Sequence, residues 1–156
     1  MERDEHRLIG VGHGRTLAAM VDHLPCTAFP DLRFVSLLGR LPMRSLASPF
    51  EAIHRLAERT SAAAYLLPVP HFANTAADRA VLLAQREVVE TLAIAREATL
   101  FIVGVGDASD NAFLGGVDAI NAREMTALRA AGAVGEVGGG LSTSSARRWR
   151  ARCTSG

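Results

Sequence analysis

Lysine is absent from this sequence of 156 residues, so all 17 basic residues are arginine. This absence excludes a lysine Schiff base and the lysine of a P-loop from the chemistry of the chain. The two cysteines, Cys26 and Cys153, are too few and too far apart for a disulfide framework or a recognisable zinc site. We therefore expect neither a metal nor a cofactor.

Long apolar runs are also lacking, and none approaches the ~18 to 20 residues that a membrane span needs. The segment from Met1 to Arg7 is charged rather than a signal peptide, so the expected location is cytoplasmic. Residues 1–136 hold 13 arginines against 16 acids, whereas four arginines fall within the last ten residues. A mildly acidic body of this kind is a poor candidate for a nucleic-acid surface.

Apolar runs alternate with helical patterns along the chain, which has the length and the 49% hydrophobic content of one globular domain. Helices are predicted at 16–24, 50–60, 76–98 with a break near Gln85, and 121–131. Strands are predicted at 8–12, 33–39, 63–67 and 99–105, and a turn leads into a last strand at 132–137. The run 99–105 has the continuous apolar character of a central parallel strand covered on both faces. The alternation predicts an open α/β fold, Rossmann-like, with a mostly parallel sheet and helices on both faces.

Four glycine-containing loops follow the predicted strands, at the edge where ligands bind in open α/β sheets. The first contains Gly12, His13, Gly14, Arg15 and Thr16. Its glycines let the backbone approach an anion, and the amides and dipole of the following helix attract one. Arg15 and Thr16 could then bind a phosphate. The alternative is that the glycines only permit a tight turn and that Arg15 is solvated.

The other three loops offer a glycine beside a charged side chain. They contain Gly39 with Arg40, Gly106 with Asp107, and Glu136. The two acids could accept hydrogen bonds from sugar hydroxyls, although an exposed structural role is an open alternative for each charged residue. Among the histidines, only His13 and His71 fall in loops that could face this cleft, and the spacing specifies no catalytic triad.

The order of these motifs resembles the effector-binding domain of SorC-type, DeoR-like bacterial sugar-responsive transcriptional regulators. The resemblance covers about residues 7 to 139 and lies in GVGHGRTLAAMVDHLP, FVSLLGRL, SPFEAIHRLAERTSAAAYLLPVPHF, AADRAVLLAQREVVETLAIAREATLFIVGVGD and LRAAGAVGEVGG. It implies a fold like that of sugar-phosphate isomerases and coenzyme A transferases, a phosphorylated sugar as effector, no catalysis, and oligomers that bind operator DNA.

The resemblance also implies roles for the loop residues. Gly12, Gly14, Arg15 and Thr16 would hold the phosphate, with His13 in the same loop. Gly39 and Arg40 would line the pocket beside it, and Gly106, Asp107 and Glu136 would face the sugar.

The chain departs from the family at both ends. Nothing before Leu8 could form the helix-turn-helix of the family, so operator binding through this chain is not expected. Residues 1–140 are predicted to be an effector-binding domain that is incomplete at its C-terminus, and 141–156 a disordered serine- and arginine-rich tail. The abrupt loss of periodicity there motivates the hypothesis of an out-of-frame or foreign ending, which an intact frame in sequenced relatives would refute.

Two other functions stay open beside that of a phosphosugar sensor. A phosphosugar isomerase would need a general base, which Asp107, Glu136 or His13 would have to supply. A nonfunctional truncated fragment is the third alternative, and cooperative unfolding would argue against it. An exposed sheet edge would favour self-association.

Overall fold

The computed structural model describes residues 7–40, 49–109, 120–138 and 140–143. The strands are β1 Leu8–Val11, β2 Arg33–Ser36, β3 Ala63–Tyr65, β4 Leu100–Ile102, β5 Val105–Asp107, β6 Ala133–Val137 and β7 Gly140–Thr143. The helices are α1 Arg15–His23, α2 Pro49–Thr60, α3 Ala76–Leu83, α4 Arg86–Glu97 and α5 Ala122–Ala130. None of the helices in these ranges is long and apolar enough to cross a membrane.

The first four strands form one parallel sheet in the order β3-β2-β1-β4. In its register Gly10 of β1 lies between Val35 of β2 and Phe101 of β4. A Cβ on Gly10 would stand 2.5 Å from the ring of Phe101, so the missing side chain leaves room for that ring. Because all four strands are parallel, their carboxyl ends lie at the same edge of the sheet.

Helices cover both faces of this parallel sheet. On one face α1 and α2 pack through a cluster of fully buried side chains: Val11, Leu17, Val21, Phe34, Ile53 and Leu56. On the other face α4 packs Ala98, Ile94 and Ala95 near Leu8 and Val35. Burial of each large aliphatic side chain contributes about 1.5 to 3 kcal/mol to folding. The predicted α/β fold, with a mostly parallel sheet and helices on both faces, is confirmed.

The observed helices agree closely with those predicted from the sequence. The predicted break near Gln85 is confirmed, because α3 ends at Leu83 and α4 begins at Arg86. Asn121 begins α5 with a capping box: its side chain accepts from the backbone N–H of Glu124 at 2.9 Å, and the Glu124 carboxylate accepts from the Asn121 N–H at 2.9 Å.

A second sheet was not predicted. Strands β5, β6 and β7 form an antiparallel sheet in that order. Residues 105–107 are therefore a strand rather than part of a loop, and β6 is not the last strand. Strand β7 covers Gly140–Thr143 and so includes the first residues of the predicted tail, whereas residues 144–156 lie outside the described part.

Strand β4 differs from the central strand that its apolar sequence predicts. Within the described residues it pairs with β1 alone and forms an edge of the parallel sheet. Phe101 is 50% exposed there, and Leu100 is 38% exposed. The apolar composition indicates that the strand has a large apolar surface to bury. The number of strands beside it depends on distant segments of the chain, which composition does not reveal.

Candidate functional site

The loop between β1 and α1 forms one wall of a polar cavity. The backbone N–H of Gly12 donates to the carbonyl of Ile102 at 2.8 Å, which ties the loop to β4. Gly14 precedes the helix with φ +130°, a conformation that favours glycine, and it has no side chain with which to cap the first turn. That turn contains no acidic residue. The amides and positive dipole end of α1 are therefore suited to an anion.

The cavity at this helix end has a volume of about 100 Å³. That is smaller than the ~300 to 1,000 Å³ usual for drug-sized ligands, and it suits a small polar molecule. Its walls come from the β1 loop and from the antiparallel sheet; the lining residues are His13, Gly14, Arg15, Thr16, Gly104, Val105, Gly106, Asp107 and Glu136. The structure thus brings three of the four predicted loops together.

Two carboxylates, those of Asp107 and Glu136, line this cavity together with the Arg15 guanidinium. Glu136 of β6 is 6% exposed and lies opposite Gly106 of β5 in the antiparallel register. A Cβ on Gly106 would stand 3.2 Å from the Glu136 carboxylate, so the glycine makes room for that group. Asp107 is exposed and accepts from the Ser109 N–H at 2.8 Å. Hydrogen bonds from the Ser109 side chain and backbone lower the pKa of Asp107, and the nearby Arg15 guanidinium lowers it further.

His13, like Glu136, is a buried residue of the cavity wall. Its side chain is 5% exposed, and burial lowers its pKa. The ring meets that of His71 edge to face, with centroids 5.2 Å apart and planes at 81°. Burial, and secondarily the charge of His13, lower the pKa of His71 to about 4. Both rings are therefore neutral at physiological pH.

Three of the predicted binding residues do not line this cavity. Gly12 comes directly before the lining residues of the β1 loop, and its N–H is bonded to Ile102. Gly39 and Arg40 belong to a different place, against the loop after β3: the Arg40 N–H donates to the Val69 carbonyl at 2.7 Å, and the His71 N–H donates to the Arg40 carbonyl at 2.8 Å. The expectation that Gly39 and Arg40 line the same pocket is therefore not what the structure shows.

Arg40 lines a second, larger cavity of about 690 Å³ with Leu66, Pro68, Val69 and Pro70. Sequence reasoning could not separate the two cavities, because their separation depends on how the β2 and β3 loops pair. Gly104, which begins the third predicted loop, also lines the first cavity; a Cβ there would lie 3.0 Å from the His13 carbonyl oxygen. The contact between His13 and His71 has a trace in the sequence, because these two histidines both fall in loops that could face the cleft.

The part of the chain that the structure describes contains no group of three or more His, Cys, Asp or Glu side chains placed to hold a metal ion. The chemistry available is that of one guanidinium, a helix N-terminus, a hydroxyl, two carboxylates and neutral imidazoles. Such a set can bind a small molecule that has an anionic end and a hydroxylated end.

Comparison with known proteins places this architecture in a family. The family described as "Putative sugar-binding domain" matches residues 3–142. The erythritol catabolism regulatory protein EryD of Brucella abortus is 46% identical over 137 residues, which are 88% of this chain and 43% of that protein.

Solved structures agree on the fold. A DeoR family transcriptional regulator from Listeria monocytogenes superposes with a TM-score of 0.81 at 18% identity, over 89% of this chain and 54% of that one. The "Putative Sugar-Binding Domain of Transcriptional Repressor" from Vibrio fischeri gives a TM-score of 0.75 at 27% identity, over 91% of this chain and 56% of that one. The chain spans about half the length of these relatives, all of which are regulatory proteins. The chain belongs to the family described as a putative sugar-binding domain, whose model matches most of its length.

Proposed function

We propose that this domain binds a small phosphorylated sugar or polyol as an effector in the cytoplasm and does not convert it chemically. The observation that supports the proposal is the cavity at the start of α1, where Arg15 and Thr16 lie across from Asp107 and Glu136. In a whole regulator, effector binding would shift an equilibrium between conformations that differ in affinity for DNA.

The two ends of the cavity differ in the chemistry they offer. Arg15, the Thr16 hydroxyl and the uncapped amides of α1 are donors, which suits a phosphate that accepts hydrogen bonds. The carboxylates of Asp107 and Glu136 accept, which suits hydroxyl groups. A monophosphate with a short hydroxylated chain matches both ends, whereas a second phosphate would meet the two carboxylates.

The relative EryD extends the proposal to the size of the effector. Its name places it in erythritol catabolism, and it is 46% identical to this chain over 137 residues. A cavity of about 100 Å³ is in keeping with a short carbon chain. We therefore take four-carbon polyols and sugars, phosphorylated at one end, as the first class to test.

Calorimetric titration and thermal unfolding with D-erythrose 4-phosphate, D-ribose 5-phosphate, D-fructose 6-phosphate and inorganic phosphate test the proposal. A bound sugar phosphate at 100 times its Kd should stabilise the fold by about 2.7 kcal/mol. Arg15→Ala should weaken binding by roughly tenfold to a hundredfold, since a hydrogen bond to a charged group contributes about 1.5 to 3 kcal/mol. Arg79→Ala is the matched control, because Arg79 is exposed on α3 away from the cavity.

Three outcomes would contradict the proposal. Binding of none of the three sugar phosphates, or equal loss of affinity in both arginine variants, would remove the role of this cavity. Conversion of a sugar phosphate, followed by NMR of the mixture, would favour an isomerase in which a cavity carboxylate or His13 acts as base.

The proposal includes self-association, supported by the open edge of β4. In the described residues that strand has a neighbour on one side only, and Phe101 at the edge is half exposed. Sedimentation velocity over a range of protein concentrations, with and without D-erythrose 4-phosphate, measures this. A monomer at all concentrations would contradict it.

A further inference from the structure

The buried ring of His71 has a feature that the proposed effector site does not use. Within the described part of the chain, both of its ring nitrogens are buried and neither has a hydrogen-bond partner. A buried polar group without a partner costs stability, and native proteins rarely keep one without a function. A phenylalanine, like its neighbour Phe72, would occupy the same place without that cost.

Backbone hydrogen bonding and neighbouring rings place His71 next to His13. The N–H of His71 donates to the Arg40 carbonyl at 2.8 Å, and Pro68 and Pro70 restrict the loop that precedes it. On its other side the ring meets that of Phe72 at a centroid distance of 4.4 Å. The imidazole therefore lies beside both the Phe72 ring and the His13 ring, whose centroid is 5.2 Å away.

His13 connects this ring to the cavity. Its side chain lines the cavity, and the same ring contacts His71 edge to face. A neutral imidazole has one N–H donor and one acceptor nitrogen, and a bond at one nitrogen decides which of them carries the proton. A hydrogen bond from His71 to the ring of His13 would therefore decide which His13 nitrogen carries the proton, and so whether that ring offers the cavity a donor or an acceptor.

We propose that His71 is a positioning residue for the hydroxylated end of the effector, one that bonds to the ring of His13 when the effector binds and so fixes its tautomer and orientation. This inference rests on the proposed function. In this arrangement the ligand has its phosphate at the start of α1 and its hydroxyl groups toward His13. It also explains why a polar ring is kept where an apolar ring would be more stable.

His71→Phe is the variant that tests the proposal, because it keeps a ring and removes both nitrogens. We expect its unfolding midpoint to equal or exceed that of the wild type and its affinity for D-erythrose 4-phosphate to fall about tenfold, the size of one hydrogen bond. His71→Asn, which restores a donor and an acceptor, should recover part of the affinity. His54→Phe is the control, since His54 is exposed on α2.

Imidazole ¹⁵N NMR of the wild-type chain gives a readout that a structural role alone would not change. Adding D-erythrose 4-phosphate should shift the ring nitrogens of both His13 and His71, and in His71→Phe the His13 signals should lose their preference for one tautomer. The wild-type spectrum decides the matter if the phenylalanine variant does not fold.

The outcomes separate this inference from the proposed function. If the wild type binds the sugar phosphate and His71→Phe binds it equally well, or if the His71 nitrogens do not shift on binding, the role of His71 is refuted and the effector site stands. If the wild type binds no sugar phosphate from the panel, the proposed function is refuted, and this inference is refuted with it.

Discussion

Replacement of Gly39 by alanine tests whether this residue serves the fold or a ligand. Gly39 is buried where the β2 loop meets the loop after β3. A Cβ there would contact the carbonyl oxygen of Val69 and would stand 2.6 Å from the carbonyl oxygen and 2.8 Å from the carbonyl carbon of Pro70. These are backbone atoms, so no side-chain rotation can relieve the contact.

The cost of this substitution follows from the contacts that must open. Overpacking costs about 1 to 3 kcal/mol. Separating the loops also strains the hydrogen bonds that Arg40 makes with Val69 at 2.7 Å and with His71 at 2.8 Å, each worth about 1 kcal/mol. We expect a loss of about 2 to 4 kcal/mol, a large part of the ~5 to 15 kcal/mol that stabilises a typical domain.

Urea unfolding followed by circular dichroism measures this loss. Gly132→Ala is the control: Gly132 has φ +90°, and no described atom lies within 4 Å of the position of its Cβ. Only backbone strain of about 1 to 2 kcal/mol should appear there. If Gly39→Ala is no less stable than Gly132→Ala, the reasoning from contacts is wrong. If Gly39→Ala is as stable as the wild type and loses sugar-phosphate binding, Gly39 belongs to a ligand site.

Two further predictions concern pH and helix capping. The folded pKa of His71, about 4, lies below its ordinary 6.5, so the unfolded chain takes up this proton first as the pH falls. The stability of the fold should therefore be intact above about pH 6.5 and should fall toward pH 4, by up to about 3 kcal/mol from this group. Urea titrations at several pH values give the unfolding free energy as a function of pH, and its slope should be shallower in His71→Phe. An unchanged slope would contradict the assignment to His71. Asn121→Ala should cost about 1 kcal/mol by removing the capping box of α5. Arg123→Ala, at an exposed position in the first turn of the same helix, should change the unfolding free energy by less than about 0.5 kcal/mol, and equal effects of the two substitutions would refute the capping argument.

The features that the sequence predicted well are those set by neighbouring residues. The turn from β1 through Gly14 into α1 and the break between α3 and α4 depend on glycine conformation and on local helix periodicity. The sequence also predicted that Arg15, Asp107 and Glu136 lie close together, but for another reason than the structure gives: it placed all three at the edge of one parallel sheet, whereas Asp107 and Glu136 belong to the antiparallel sheet.

The features that it did not predict depend on residues far apart in the chain. Strand β7 contains Ser142 in a segment without apolar periodicity, and it exists because β6 offers a pairing edge. The edge position of β4 and the separation of Arg40 from the cavity both depend on which segments lie alongside. Local propensity does not contain that information.

The cavity has one further property that comes from the presence of two sheets. Its β1-loop wall, with Arg15, rests on the parallel sheet, whereas the wall with Asp107 and Glu136 is part of the antiparallel sheet. Two residues, Val103 and Gly104, join β4 to β5 and so connect the sheets through the chain. The width of the cavity therefore depends on how the two sheets are placed relative to each other, and a molecule that contacted both walls would favour the placement that fits it.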